Sequence, residues 1–231
     1  METPLRPRPS NTFSMADDTG TVTLYHDCRR LLSQAEPSQA IVRIIAEANR
    51  VAVENTPHFS VHASVVGDHD RVIVIASNSG GGKSTLAAAL LQQGLRYGSD
   101  EALCLDDQGL VIAYPKPISL GPWSWEALGL SAEDTFTVEA LFTAADLGAE
   151  LLESGRRPTD LLIPSFTTGA PSLRHLPAST IVTTLLRHSF NHYKDGARAF
   201  RLATELAQSM RVWQVDVAHP VETAKLMLET L

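Results

Sequence analysis

The stretch Ser77-Asn78-Ser79-Gly80-Gly81-Gly82-Lys83-Ser84-Thr85 limits the architectures open to this chain more than any other. Before it, Arg71-Val-Ile-Val-Ile-Ala76 is an apolar β-branched run that predicts a buried strand. After it, Leu86-Ala-Ala-Ala-Leu-Leu-Gln-Gln93 is a run of strong helix formers closed by Gly94, a residue suited to the position after a helix end. Strand, glycine-rich turn and helix, in that order, are the context of a phosphate-binding loop (P-loop). Glycines let successive backbone N–H groups curl around a polyphosphate without Cβ clashes, and the helix N-terminus adds unpaired donors and a positive dipole end. In such a loop the backbone from Ser79 to Thr85 holds the phosphates, Lys83 reaches the β- and γ-phosphates, and the Ser84 hydroxyl ligates Mg²⁺. The usual pattern opens with glycine where this chain has Ser77, and Gly80, Gly81 and Gly82 restore much of that flexibility. The competing interpretation is a flexible strand-to-helix turn with a surface lysine. Lys83 is one of only four lysines in the chain, which favours the loop.

A chain of 231 residues with 44% hydrophobic content can bury the core of one sizeable α/β domain. The formal net charge of -7 argues against nucleic acid or an anionic membrane as the main partner. Two cysteines, Cys28 and Cys104, make no disulfide framework, and a reduced cytoplasmic setting is expected. No apolar stretch approaches the roughly 18 residues of a membrane span. The Pro/Arg-rich start lacks the apolar centre of a signal peptide and predicts a disordered tail over residues 1–20, followed by a single domain over 21–231.

In chain order, Thr21–Tyr25 predicts a short edge strand. Ile41, Ile44, Ile45, Ala48 and Val51 recur at helical spacing and predict an amphipathic helix over 38–55. Phe59–Val66 predicts a strand, and Gly67–Asp70 turns it into the strand before the loop, so the sheet is expected to be mixed. Leu95–Leu105 and Leu110–Tyr114 flank Asp106-Asp-Gln-Gly109 and predict a second hairpin. A helix is expected over 144–153, a short strand over 160–163, and a long functional loop over 164–177. Helices over 179–192 and 196–209, a strand over 212–217 and a closing helix over 221–231 complete the chain. Trp123, Trp125 and Phe136 are expected to pack in the core or in a lid.

A phosphate loop needs an acidic element to hold Mg²⁺ and, in a kinase, to take a proton from the attacking hydroxyl. Asp106-Asp107 has the look of such an element, but Gln108-Gly109 and a second apolar run follow at once, which favours a solvated hairpin turn. Asp100-Glu101, behind Gly98-Ser99 and one short segment after the predicted helix, is the other pair, and from the residues alone it is also compatible with an ordinary strand-entry turn. His188 and His192 stand four residues apart on a predicted helix, a spacing compatible with metal but without a third ligand in view.

Several pieces, in order, resemble the HPr kinase/phosphorylase C-terminal domain and its shorter HPr-kinase-like relatives. They are His62-Ala-Ser-Val-Val66, Ser79-Gly-Gly-Gly-Lys-Ser-Thr-Leu86, Gly94-Leu-Arg-Tyr-Gly-Ser-Asp-Glu101, Pro115-Lys-Pro-Ile-Ser-Leu120 and Leu186-Arg-His-Ser-Phe-Asn191. The resemblance covers residues from about 38 to 231. It implies an α/β fold related to phosphoenolpyruvate carboxykinase, with a mixed, largely antiparallel sheet around the P-loop and flanking helices. It implies transfer of phosphate from ATP to a serine-like hydroxyl on a protein, peptide or small molecule, and assembly into homo-oligomers. The implied roles are Asp100 and Glu101 as base and Mg²⁺ ligand, with His62 beside the transferred phosphoryl group. From the residues alone, His62 on an alternating strand is equally well a structural imidazole. The chain departs from the family in three places. It has only about 60 residues before His62, it carries Glu101 where the family has Asp, and it offers no arginine around Pro164-Ser-Phe166. Two other functions stay open beside the kinase: a nucleotide-binding regulator or scaffold without transfer, and a simple NTPase.

Overall fold

Val72, Val74 and Ala76 point into one apolar cluster while Ile73 and Ile75 point into another, so the strand before the glycine-rich turn is covered on both faces. The computed structural model describes residues 11–78, 80–131 and 139–231. Ser79, Phe136 and the first ten residues of the expected tail lie outside the described residues. The chain divides into two compact units, Met1–Ala52 and Val53–Leu231.

In the first unit, β1 (Phe13–Asp18), β2 (Thr21–His26) and β3 (Arg29–Ala35) form an antiparallel sheet in that order, and α1 (Pro37–Asn55) begins after it. The tail expected to reach Gly20 is therefore strand from Phe13 onward. Thr21–Tyr25, expected at an edge, lies in the middle strand. The turn between β1 and β2 has two residues, Thr19 and Gly20, with φ of 54° and 97°. Positive φ at both positions matches the right-handed twist of a tight hairpin. Glu47 of α1 is buried at 3% side-chain exposure and meets three guanidinium groups: Arg29 at 2.5 Å, Arg50 at 2.6 Å and Arg43 at 3.8 Å. The Arg50 hydrogen bond, more than any other contact, pulls its carboxyl down to about 2.

The second unit runs β4 (Phe59–Val61), β5 (Ser64–Gly67), β6 (Val72–Ile75), α2 (Lys83–Gln92), β7 (Arg96–Ser99), β8 (Leu103–Leu105), β9 (Val111–Ile112) and β10 (Ile118–Leu120). It continues with α3 (Pro122–Ala127), β11 (Ala140–Phe142), β12 (Asp160–Phe166), β13 (Ser172–His175), α4 (Ser179–Arg187), α5 (Gly196–Ala207), β14 (Arg211–Val217) and α6 (Pro220–Thr230). A six-stranded sheet has the order β13-β14-β12-β6-β5-β7. Its β14, β12 and β6 are parallel, and every other pairing is antiparallel. The unit also has an antiparallel pair, β10-β11, and a three-stranded antiparallel sheet, β4-β8-β9. The fold class is thus mixed α/β, mostly antiparallel and partly parallel. Helices α2 and α6 supply one cluster, with Leu86, Leu90 and Met227, and α4 and α5 supply the other, with Ile181, Leu185 and Leu202. Among the described residues no helix is long and apolar enough to cross a membrane.

Four local expectations change. The run Phe59–Val66 breaks at His62, because β4 pairs with β8 while β5 pairs with β6 in the larger sheet. The helix expected over 144–153 is one 3₁₀ turn, Ala145–Leu147. Gly148 at φ 69° ends it, and Tyr97 then exchanges backbone hydrogen bonds with Glu150 and Leu152. The long loop over 164–177 shrinks, since β12 runs on to Phe166 and β13 starts at Ser172. Helix α4 stops at Arg187, where the chain turns to pair Ser189 with Val61, so His188 and His192 do not share a helix.

Candidate functional site

Strand β6 delivers the chain to the glycine-rich turn, and α2 starts at Lys83 with Gly82 as its N-cap. Gly82 has φ 84° and ψ 10°, and a Cβ there would lie 2.9 Å from the ring of Phe166. The backbone conformation is what favours glycine here, since the contact is with the far end of an exposed ring. A Cβ on Gly81 would lie 2.5 Å from Ser77 Oγ, so the serine that replaces the usual first glycine packs closely on the turn.

Lys83, Asp100 and His62 come together from three elements. The turn, the β7–β8 connection and the β4–β5 break all line one cavity of about 380 Å³. Gly80, Gly81, Gly82, Ser84, Thr85 and Glu101 line it too. Every expected site residue within the described chain is therefore in the cavity wall, and Ser79 is the one left undescribed.

Asp100 is 1% exposed. It accepts from Ser64 Oγ at 2.5 Å and from Ser84 Oγ at 3.1 and 3.0 Å, one distance to each carboxylate oxygen. The hydroxyl donors satisfy a buried polar group that would otherwise be costly to keep from water. Glu101 beside it has φ 81°, left-handed for a residue with a side chain, a strain of about 1–2 kcal/mol. Ser99 Oγ donates to the Ala102 carbonyl at 2.6 Å and braces this turn. Glu101 Oε2 accepts an ion pair from Lys116 Nζ at 3.1 Å, and Tyr97 holds the Lys116 carbonyl through a 2.5 Å hydrogen bond.

Lys83 is 7% exposed, and burial pushes its ammonium below the usual lysine range against the pull of Asp100 and Glu101. Burial likewise pushes the His62 imidazole down, helped by the Lys83 charge and opposed by Glu101. The His62 amide donates to the His188 carbonyl at 2.8 Å. His188 is also pushed down, by burial and then by Lys83 and Arg187. Burial thus favours the uncharged form of both imidazoles.

Hydroxyl and carboxylate oxygens at Ser84 and Asp100 are the donor type a hard divalent cation takes. Among the described residues no group of three or more His, Cys, Asp or Glu could hold a metal by itself. A cation held there needs further oxygens from phosphate and water, the habit of Mg²⁺. Asp106, the rejected acid, caps the β8–β9 hairpin by accepting from the Gln108 and Leu110 amides, both at 2.9 Å.

Sequence reasoning missed several residues at this site. Ser64 sits on an alternating strand and carries no local signal of a role. Lys116 stood in a noted segment without a function. Trp123, expected in the core or in a lid, and Phe166, inside the loop expected to be functional, line the cavity as exposed rings, though neither is among the expected site residues. Ser119 and Glu139, joined by a hydrogen bond, complete the rim. No protein-family model matches the chain, and no curated protein matches it.

Proposed function

We propose that this protein is a Mg·ATP-dependent kinase of the HPr-kinase-like type, phosphorylating a serine-like hydroxyl on a protein, peptide or small molecule. The observation that carries this reading is Ser84 hydrogen-bonded to both oxygens of buried Asp100, beside buried Lys83, in the wall of the 380 Å³ cavity. The amides of the glycine-rich turn and Lys83 bind the triphosphate. Ser84 and Asp100 hold Mg²⁺, which offsets charge on the phosphates when bound. Glu101 lines the cavity beside Asp100, and the pair takes the proton of the acceptor hydroxyl. His62, held toward its uncharged form by burial, faces the same space and orients the transferred group.

Incubation with labelled Mg·ATP and a panel of hydroxyl-bearing peptides and amino acids tests this reading. Label on an acceptor supports the kinase. ADP release without any acceptor would make the protein an NTPase, and tight nucleotide binding without turnover would make it a regulator.

A further inference from the structure

The cavity wall has a charged part and an aromatic part. The charged part is His62, Lys83, Asp100 and Glu101. The aromatic part is Trp123, from α3, and Phe166, from the end of β12. They are 53% and 55% exposed and meet edge to face with ring centroids 6.3 Å apart. Two large rings left half in water at the rim of a polar cavity carry apolar area that nothing in the described chain covers.

Their placement is fixed relative to the glycine-rich turn. The Phe166 ring rests over Gly82. Helix α3 is tied to α2 twice, by Thr85 Oγ1 to Ser124 Oγ at 2.8 Å and by Gln92 Nε2 donating to the Leu128 carbonyl at 3.0 Å. A polyphosphate on the turn amides thus lies beside a ring that offers it no hydrogen bond. The occupant of that side must have a flat apolar portion joined to its phosphates. In a nucleotide, only the base is flat and apolar.

We infer that Trp123 and Phe166 form the nucleobase platform, with the base stacked on the free face of the indole and the Phe166 ring closing its edge. This rests on the phosphate-binding reading above and extends it. Phosphoryl transfer takes place where the charged groups converge, so the base is directed to the aromatic part of the wall. Stacking on a ring accepts any base.

Calorimetry with Mg²⁺ and two ligands, ADP and inorganic tripolyphosphate, tests the platform. Trp123→Ala is expected to weaken ADP by about 5- to 150-fold, the usual worth of one base on one ring, and to leave tripolyphosphate within about twofold. Trp123→Phe should retain most ADP affinity, which also guards against a folding defect in the alanine variant. In the wild type, ADP should quench tryptophan fluorescence where tripolyphosphate does not, and the quench should vanish in Trp123→Phe. Unchanged ADP affinity in Trp123→Ala, or equal loss of both ligands, overturns the platform while tripolyphosphate binding keeps the phosphate site intact. If the wild type binds no tripolyphosphate, the phosphate-binding reading fails and the platform falls with it.

Discussion

Ser84 Oγ lies 3.1 and 3.0 Å from the two carboxylate oxygens of Asp100, closing a span of sixteen residues from the first turn of α2 to the end of β7. One hydroxyl hydrogen cannot serve two oxygens fully, so the carboxylate faces the serine squarely and keeps lone pairs free. Asp100→Asn replaces one acceptor oxygen by a donor. Nucleotide affinity is expected to stay within about tenfold while turnover falls by roughly 10²–10⁴. Asp106→Asn should change neither, because asparagine caps the same hairpin turn. Steady-state kinetics on both variants decide the matter; exchanged behaviour would assign the wrong acid.

Lys83→Ala removes a cation that is nine-tenths buried at the start of α2. A hydrogen bond to a charged group contributes about 1.5–3 kcal/mol, so triphosphate affinity is expected to fall by roughly 10- to 150-fold. Titration of a non-hydrolysable ATP analogue with Mg²⁺ gives the number, and unchanged affinity would place the nucleotide elsewhere.

Glu101 trades backbone comfort for a carboxylate at φ 81°. Glu101→Gly relieves about 1–2 kcal/mol of left-handed strain and gives up an ion pair between Glu101, 43% exposed, and Lys116, 12% exposed, whose ammonium keeps its bond to the Pro117 carbonyl, so that the loss is about 1 kcal/mol or less. A higher melting temperature together with a large drop in turnover is the expected signature. A destabilised Glu101→Gly variant would mean that the ion pair, not the strain, dominates this turn.

Gly82→Ala puts a methyl 2.9 Å from the Phe166 ring at a φ of 84°. Destabilisation of about 1–2 kcal/mol is expected from the backbone alone, with weaker nucleotide binding as the turn shifts. Phe166→Leu in the same chain should recover part of the steric cost and none of the backbone cost. Chemical denaturation of Gly82→Ala, of Phe166→Leu and of the double variant separates the two.

Acid should weaken the protein in two separate windows. His62 and His188 have folded values below the ordinary 6.5. The unfolded chain then binds more protons, and stability falls as pH drops from about 6.5 toward their folded values. Glu47 is shifted in the same direction, from 4.5 to about 2, here because its charged form is favoured, so its contribution is full above 4.5 and is lost as pH falls through that range. Melting temperature against pH should show both slopes. His62→Gln should reduce the first slope only, leaving the His188 part, and Glu47→Gln should flatten the second only.

The strand, turn and helix around Lys83 were legible because each depends on neighbours in sequence: β-branched residues, then glycines, then alanine and leucine. Asp106 could be set aside from local turn chemistry, and it does cap the β8–β9 hairpin, whereas the preference for Asp100 rests chiefly on the family resemblance and not on any local pattern. The break at His62 was not legible, since Val61 and Ala63 continue a strand pattern and only pairing with distant β8 and Ser189 interrupts it. Residues 148–152 carry helix-forming composition, yet Tyr97 recruits their backbone. The meeting of Trp123 with Phe166 depends on how α3 and β12 pack, and no local pattern encodes it.

Strand β12 enters between β6 and β14, and its hydrogen bonds to β6 span 87 residues where Thr159 meets Val72. At its start, buried Asp160 accepts from Trp213 at 3.0 Å and pairs with Arg211 at 2.8 Å, so β12 and β14 register against each other through one carboxylate. Long-range parallel pairing closes slowly, because chain entropy is lost before the contacts form. The hairpins β5–β6 and β8–β9 close over short loops and can form early in refolding. Phe166 reaches Gly82 only after β12 has taken its place, which makes the cavity a late product of folding and gives ligand-dependent fluorescence from its rim a delayed onset relative to the backbone signal.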